Sequence, residues 1–116
     1  SEKSKKRFVS VLLTNDKEIR AINKKFLKHD YATDVISFEA GSGYLVGKEA
    51  DYLGDVVVSV DTAQSMAREL EIPWKQELAR YLVHGTLHLL GYDDRATADR
   101  DKMSARQEKI VEKIFA

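Results

Sequence analysis

Residues 53–60 read LGDVVVSV, and the three consecutive valines in that stretch constrain everything built around them. A strand with one face in water alternates apolar and polar residues, so a near-continuous apolar run marks a strand buried on both faces. Such a strand needs neighbours in a sheet and cover above and below. RFVSVLLT (7–14) and VISFEA (35–40), rich in β-branched and aromatic residues, read as the neighbouring strands. The cover reads as helical. KEIRAINKKFL (17–27) places Ile19, Ile22 and Phe26 at helical spacing, with Asn15 or Asp16 as its cap. Asp61 is the expected cap of a helix over about 62–71. Pro73 suits the first turn of a helix running to about residue 90, and Gly91 is a natural C′ residue. TADRDKMSARQEKIVEKIF (97–115) reads as a last helix with Thr97 as cap and Met103, Ile110, Val111 and Ile114 on its apolar side. HDYATD (29–34) is a polar loop, and GSGYLVGKEADY (41–52) is a glycine-rich connection. The expected fold is α+β: a small sheet of at least three strands covered by helices, one domain over residues 1–116.

Composition narrows the chemistry. A chain of 116 residues, 43% hydrophobic and 33% charged with a single proline, is one compact domain without repeats. Cysteine is absent, so disulfides and thiolate ligands are excluded, and a metal would be held by His, Asp or Glu. No apolar run approaches the ~20 residues of a membrane span, and SEKSKKR lacks the apolar stretch of a secretory signal. A cytoplasmic protein is expected. The net charge of zero hides an asymmetry: residues 1–35 hold nine Lys/Arg against five Asp/Glu, and residues 36–116 hold ten against fourteen. The basic first third is suited to meeting a polyanion, although an ordinary solvated tail has the same composition. Lys3, Lys5, Lys6 and Arg7 are candidates for phosphate contacts.

The chemistry concentrates in HGTLHLLGYDD (84–94). His84 and His88 are four apart on the expected helix, so both imidazoles leave from one face and can meet one ion. A catalytic zinc usually takes three protein ligands, so the third comes from beyond the helix. Gly91 lets the chain turn back, and either Asp93 or Asp94 can return a carboxylate. The structural alternative is two half-buried histidines followed by an Asx-type turn. Glu77 and Tyr81 share the histidine face, as orienting partners or as a solvated flank. Gly85 occupies the position where a zinc peptidase of the HExxH type keeps its general base. That absence argues against peptide hydrolysis and is expected to leave open space beside the ion for a phosphodiester. Thr33 and Asp34 read as a turn near the site, Phe38 as core, Gly54 as a place where the backbone can closely approach a ligand, and Trp74 as a packing residue.

HGTLHLLGYDD resembles the HGxLHLxGYDH signature of the YbeY family of endoribonuclease-like rRNA maturation factors. ATDVISF (32–38) is similar to the family's TDVLSF strand, LGDVVVSVDTA (53–63) to its LGDIVIS segment, and Asn23 to an asparagine of its preceding helix. The resemblance runs in order over residues 9–115. It implies a small α+β fold, one zinc ion, and metal-dependent cleavage of single-stranded RNA. It further implies a role in maturing the 3′ end of small-subunit (16S) rRNA and in ribosome quality control, with the small ribosomal subunit and assembly factors as partners. Carried over by position, the ligands are His84, His88 and Asp94, the last standing where most members have histidine. A carboxylate is a normal zinc ligand, but it removes a unit of positive charge from the site. Leu27 stands where the family usually keeps a basic residue, and the adjacent Lys28 and His29 are the candidates to replace it. About thirty residues, a strand and a helix, commonly precede this region in the family and are absent here.

A mechanism follows from the resemblance. Phosphoryl transfer needs charge stabilisation and a positioned nucleophile more than it needs a glutamate base. Zinc would polarise the phosphate and supply the nucleophile, Lys28 or His29 would neutralise developing charge, and His29 is a candidate general acid. The competing readings are a non-catalytic ribosome-assembly factor with a structural zinc, a zinc peptidase, and a hydrolase of small phosphoesters.

Overall fold

The computed structural model describes residues 7–40 and 51–116. Most of the glycine-rich connection, and Lys3, Lys5 and Lys6, lie outside the described residues. Strand β1 is Phe8–Thr14; helix α1, Asp16–Ile22, runs on into a π-helical turn, Asn23–Leu27; β2 is Val35–Glu39 and β3 is Tyr52–Ser59. Helices α2 (Val60–Leu70), α3 (Trp74–Leu89) and α4 (Thr97–Ile114) follow. The described residues thus form the expected α+β domain, with a three-stranded mixed sheet and four α-helices.

The valine run is the centre of the sheet. The strand order is β1-β3-β2, with β1 parallel to β3 and β2 antiparallel to it. Val57 points to one face, against Ile19 and Ile22 of α1 and Ile36 and Phe38 of β2. Val56 and Val58 point to the other, against Ala63 of α2 and Tyr81 of α3, with Val35, Leu78 and Leu82 beside them. All three valines are fully buried, which explains why β3 cannot alternate. Each such side chain contributes about 1.5–3 kcal/mol through removal from water. The edge strand β1 leaves Val11 and Leu13 exposed. At β3, Gly54 has φ +145° and a Cβ there would strike the Phe38 carbonyl oxygen; the close approach at this glycine is to a neighbouring strand's backbone, not to a ligand as expected.

The helix boundaries follow local chemistry, with three departures from expectation. Asn15 caps α1 by accepting from the Glu18 N–H at 2.8 Å. Ser59, the last residue of β3, caps α2 by accepting from the Thr62 N–H at 3.2 Å, so Asp61 is not the cap. Asp61 instead sits in the first turn and accepts from the Asp16 N–H at 3.0 Å, tying the start of α1 to α2. Pro73 precedes α3 in extended conformation rather than entering its first turn. Thr97 is the first helical residue of α4, with Ala96 in the cap position. On α4, Met103 and Val111 are buried, but Ile114 is exposed.

Candidate metal centre and cleft

The end of α3 is shaped by its glycine. The Tyr92 N–H donates to the Leu87 carbonyl and the Gly91 N–H to the His88 carbonyl, each at 3.0 Å, with Gly91 at φ +103°. This is a Schellman closure, and only a residue at ease with positive φ completes it without strain. It reverses the chain and brings Asp94 back to the histidines. His88 Nε2 lies 3.2 Å from His84 Nε2 and 3.4 Å from Asp94 Oδ2. Asp93, the competing residue, turns away: its carboxylate takes the Arg95 N–H and guanidinium, which hold its pKa at about 2.

His84, His88 and Asp94 form a group that could hold a metal ion, with one donor atom from each lying within 4.8 Å of the others. The two spacings from His88, 3.2 Å to His84 and 3.4 Å to Asp94, fit. Two ligands about 2.0–2.1 Å from a tetrahedral ion stand about 3.3 Å apart. Two imidazole nitrogens and a carboxylate oxygen also match the borderline preference of zinc, though nickel, cobalt and iron accept the same set.

A residue that sequence reasoning missed sets the tautomer. His84 Nδ1 lies 2.8 Å from Gln107 Oε1 on α4. The amide's orientation is settled by its other end, where Gln107 Nε2 donates to Glu108 Oε2 at 2.9 Å, because a carboxylate only accepts. His84 therefore donates from Nδ1, and its Nε2 lone pair faces the cluster. Glu108 is itself held by Arg80 through two bonds of 2.8 Å, and Arg80 continues to Glu77 at 2.6 Å. The Arg80 guanidinium keeps the Glu108 carboxyl below its ordinary pKa. Glu77 is 4% exposed, so it is not a solvated flank, and its carboxylate is bonded by Arg80 rather than by a histidine. Burial and the neighbouring Glu77 carboxylate push the Tyr81 hydroxyl upward.

Gly85 corrects the reading made of it from sequence. It faces the sheet, not the cluster. A Cβ there would come 2.7 Å from Val56 Cγ1, 3.0 Å from Ser37 Oγ and 3.2 Å from Val35 Cγ2. The glycine lets α3 lie close on β2 and β3, and the Ser37 hydroxyl donates to the Gly85 carbonyl at 2.9 Å. The space beside the cluster comes from elsewhere, a cleft of about 470 Å³ between the end of α3 and the segment from Asn23 to Ser37. His84, His88 and Asp94 line one side of it; Asn23, Leu27, His29, Tyr31, Thr33 and Asp34 are among those lining the other. His29 is thus brought to the cluster's cleft. Lys28, in left-handed conformation after the π-helical turn, is not among the lining residues, and Leu27 occupies that wall. Trp74 lies away from the cleft, against the turn between α2 and α3. No helix among the described residues is long and apolar enough to cross a membrane.

Comparison with known proteins agrees with this geometry. The family model described as Endoribonuclease YbeY matches residues 1–115. The chain is 43% identical over 108 residues to Endoribonuclease YbeY of Syntrophotalea carbinolica, covering 91% of this chain and 72% of that protein. It is 41% identical over 115 residues to the protein of the same name from Endomicrobium trichonymphae, covering 99% and 77%. The match to the Myxococcus xanthus protein of that name, 43% identical, covers 89% of this chain but 35% of the longer relative. A solution structure of a Thermotoga maritima protein superimposes with a TM-score of 0.69 at 30% identity, covering 98% of this chain and 72% of the other. In sequence, in fold and over nearly its whole length, the chain belongs to the YbeY family of endoribonucleases.

Proposed function

We propose that this chain is a metal-dependent endoribonuclease that cleaves single-stranded RNA, acting in the cytoplasm on the 3′ end of small-subunit rRNA and in ribosome quality control. In this reading its partners are the small ribosomal subunit and assembly factors. The observation that carries it is the cluster of His84, His88 and Asp94, with donors spaced for one ion, opening on a cleft large enough for a nucleotide, in a chain of this family.

His84 and His88 would hold the ion through Nε2 and Asp94 through a carboxylate oxygen, and zinc is the metal best matched to that set. When bound, it supplies Lewis-acid neutralisation of phosphoryl charge and makes water more acidic near neutral pH. The chain's own residues do the rest. Gln107 fixes the donor face of His84. His29 lines the cleft with Nδ1 3.2 Å from the Tyr31 hydroxyl, which leaves Nε2 free to give a proton to the departing ribose oxygen. Lys28, between Leu27 and His29 in sequence but not lining the cleft, would add positive charge to this part of the surface, without the planar fork of an arginine.

The second reading is a non-catalytic assembly factor with a structural zinc. Leu27 on the cleft wall favours it, since an aliphatic side chain cannot clamp a phosphate. Against it, structural zinc sites are closed with four protein ligands, and among the described residues this cluster offers three and faces a cleft. The test is cleavage of a labelled RNA spanning the precursor 3′ end of small-subunit rRNA. It uses metal-loaded protein, chelated protein and His88→Ala purified identically. Cleavage by the first alone is expected. RNA binding without cleavage by metal-loaded protein would move the function to the assembly reading.

A further inference from the structure

The cleft that holds the metal cluster also carries an aromatic pair, His29 and Tyr31, and the cleavage chemistry gives no role to the tyrosine ring. Tyr31 is 54% exposed, and its ring lies nearly parallel to His29, at 12° and 5.4 Å between centroids. An exposed tyrosine on a polar loop has no reason of stability to hold one orientation, yet two contacts of its own hold this one, and the residue before it is pinned as well. Its hydroxyl meets His29 Nδ1 at 3.2 Å. Its carbonyl accepts from the side chain of Asn23, which is 2% exposed and anchored in the π-helical turn, at 2.9 Å. Between the two rings in sequence, Asp30 is held by Arg20 at 2.8 Å and by Lys24 at 3.9 Å. The ring is therefore preorganised, open to solvent, and on the same cleft as His84, His88 and Asp94.

We infer that Tyr31, braced by His29, is a nucleobase platform: one unpaired base of the RNA strand stacks on its ring while the adjoining backbone crosses the metal cluster. The inference rests on the RNA reading of the site and adds to it how the strand is gripped. Every base has a π-face, so a single platform binds without reading sequence. A base inside a duplex is already stacked on its neighbours and cannot reach the ring, so the platform also selects single strands. Neither property follows from a phosphate-binding metal alone, which meets the same backbone in paired and unpaired RNA.

The test separates stacking from charge. Chelated protein, which is expected not to cleave, is titrated with a labelled hexauridylate and with versions carrying one abasic residue at each position in turn. Abasic substitution keeps every phosphate and removes one ring. For the wild type, one position is expected to lose about tenfold in affinity, the scale of a single base–aromatic stack. Tyr31→Leu should bind the intact strand about tenfold more weakly and show no further loss at that position. Tyr31→Phe should restore the position-dependent loss. A flat abasic profile, a loss that persists in Tyr31→Leu, or no affinity for RNA at all would overturn the platform. Cleavage by metal-loaded wild type is read separately. If cleavage fails while the positional signature stands, the endoribonuclease reading falls and the platform remains.

Discussion

His84 Nδ1 and Gln107 Oε1 lie 2.8 Å apart, joining the two helices that flank the cluster. The bond does what a metal-binding histidine needs from its surroundings: it fixes the tautomer and the ring plane. Gln107→Ala is expected to weaken metal affinity by about 10- to 100-fold while leaving the fold intact. Competition with a chromophoric chelator reads the first and near-ultraviolet circular dichroism the second. Unchanged affinity would mean that the His84 ring is held by packing alone.

The close approach of Gly85 to Val56 predicts intolerance of even a methyl group. Gly85→Ala should lower stability by about 1–3 kcal/mol, the usual cost of overpacking. Val56→Ala removes the struck Cγ1, so the double variant should lose less than the sum of the singles. Urea denaturation of the four proteins measures both. Full additivity would show that α3 shifts to accept the methyl.

Glu108 supplies a pH dependence whose sign is defined. Its pKa is lowered in the folded state by the Arg80 guanidinium, so the carboxylate stabilises the fold above its unfolded value. That contribution is lost as pH falls from about 4.5 through the lower folded value. In Glu108→Gln the stability curve should be flatter over that window, relative to its own value at pH 7. Denaturation midpoints between pH 3 and 6 provide the comparison, and parallel curves would refute it.

Asp94 makes the site one charge less positive than a third histidine would. Asp94→His is expected to keep one metal per chain and to bind single-stranded RNA several-fold more tightly, since one unit charge a few ångströms from a phosphate is worth about 1 kcal/mol in water. Metal analysis and RNA titration at low salt check the two halves. The gain should shrink as salt rises.

Periodicity exposed those parts of the molecule whose cause is local. The valine run marked β3 because burial on both faces removes alternation, and the four-residue spacing of His84 and His88 placed them on one side of α3. Gly91 was legible because a helix end needs positive φ. The choice between Asp93 and Asp94 was not, since it depends on Arg95 drawing one carboxylate away. Gln107 lies 23 residues from His84 on a different helix, and no local pattern carries such a pairing. Gly85 was misread because a missing side chain was judged against the ion, when the atoms that exclude it belong to β2 and β3. Ser59 displaced Asp61 as the cap of α2 because β3 passes into the helix without a loop, which moved the cap two residues earlier.

The division of the chain has a consequence for how it is made. The three strands among the described residues end by residue 59, whereas the cluster and the glutamine that orients it span residues 84 to 107. Synthesis runs from the N-terminus, so a nascent chain possesses these three strands before either histidine of the cluster has been added. The core can be laid down ahead of the chemistry. Until Asp94 has joined both histidines, a half-made copy lacks the full cluster, so under the proposed function it could not yet cut the RNA of the ribosome that is producing it.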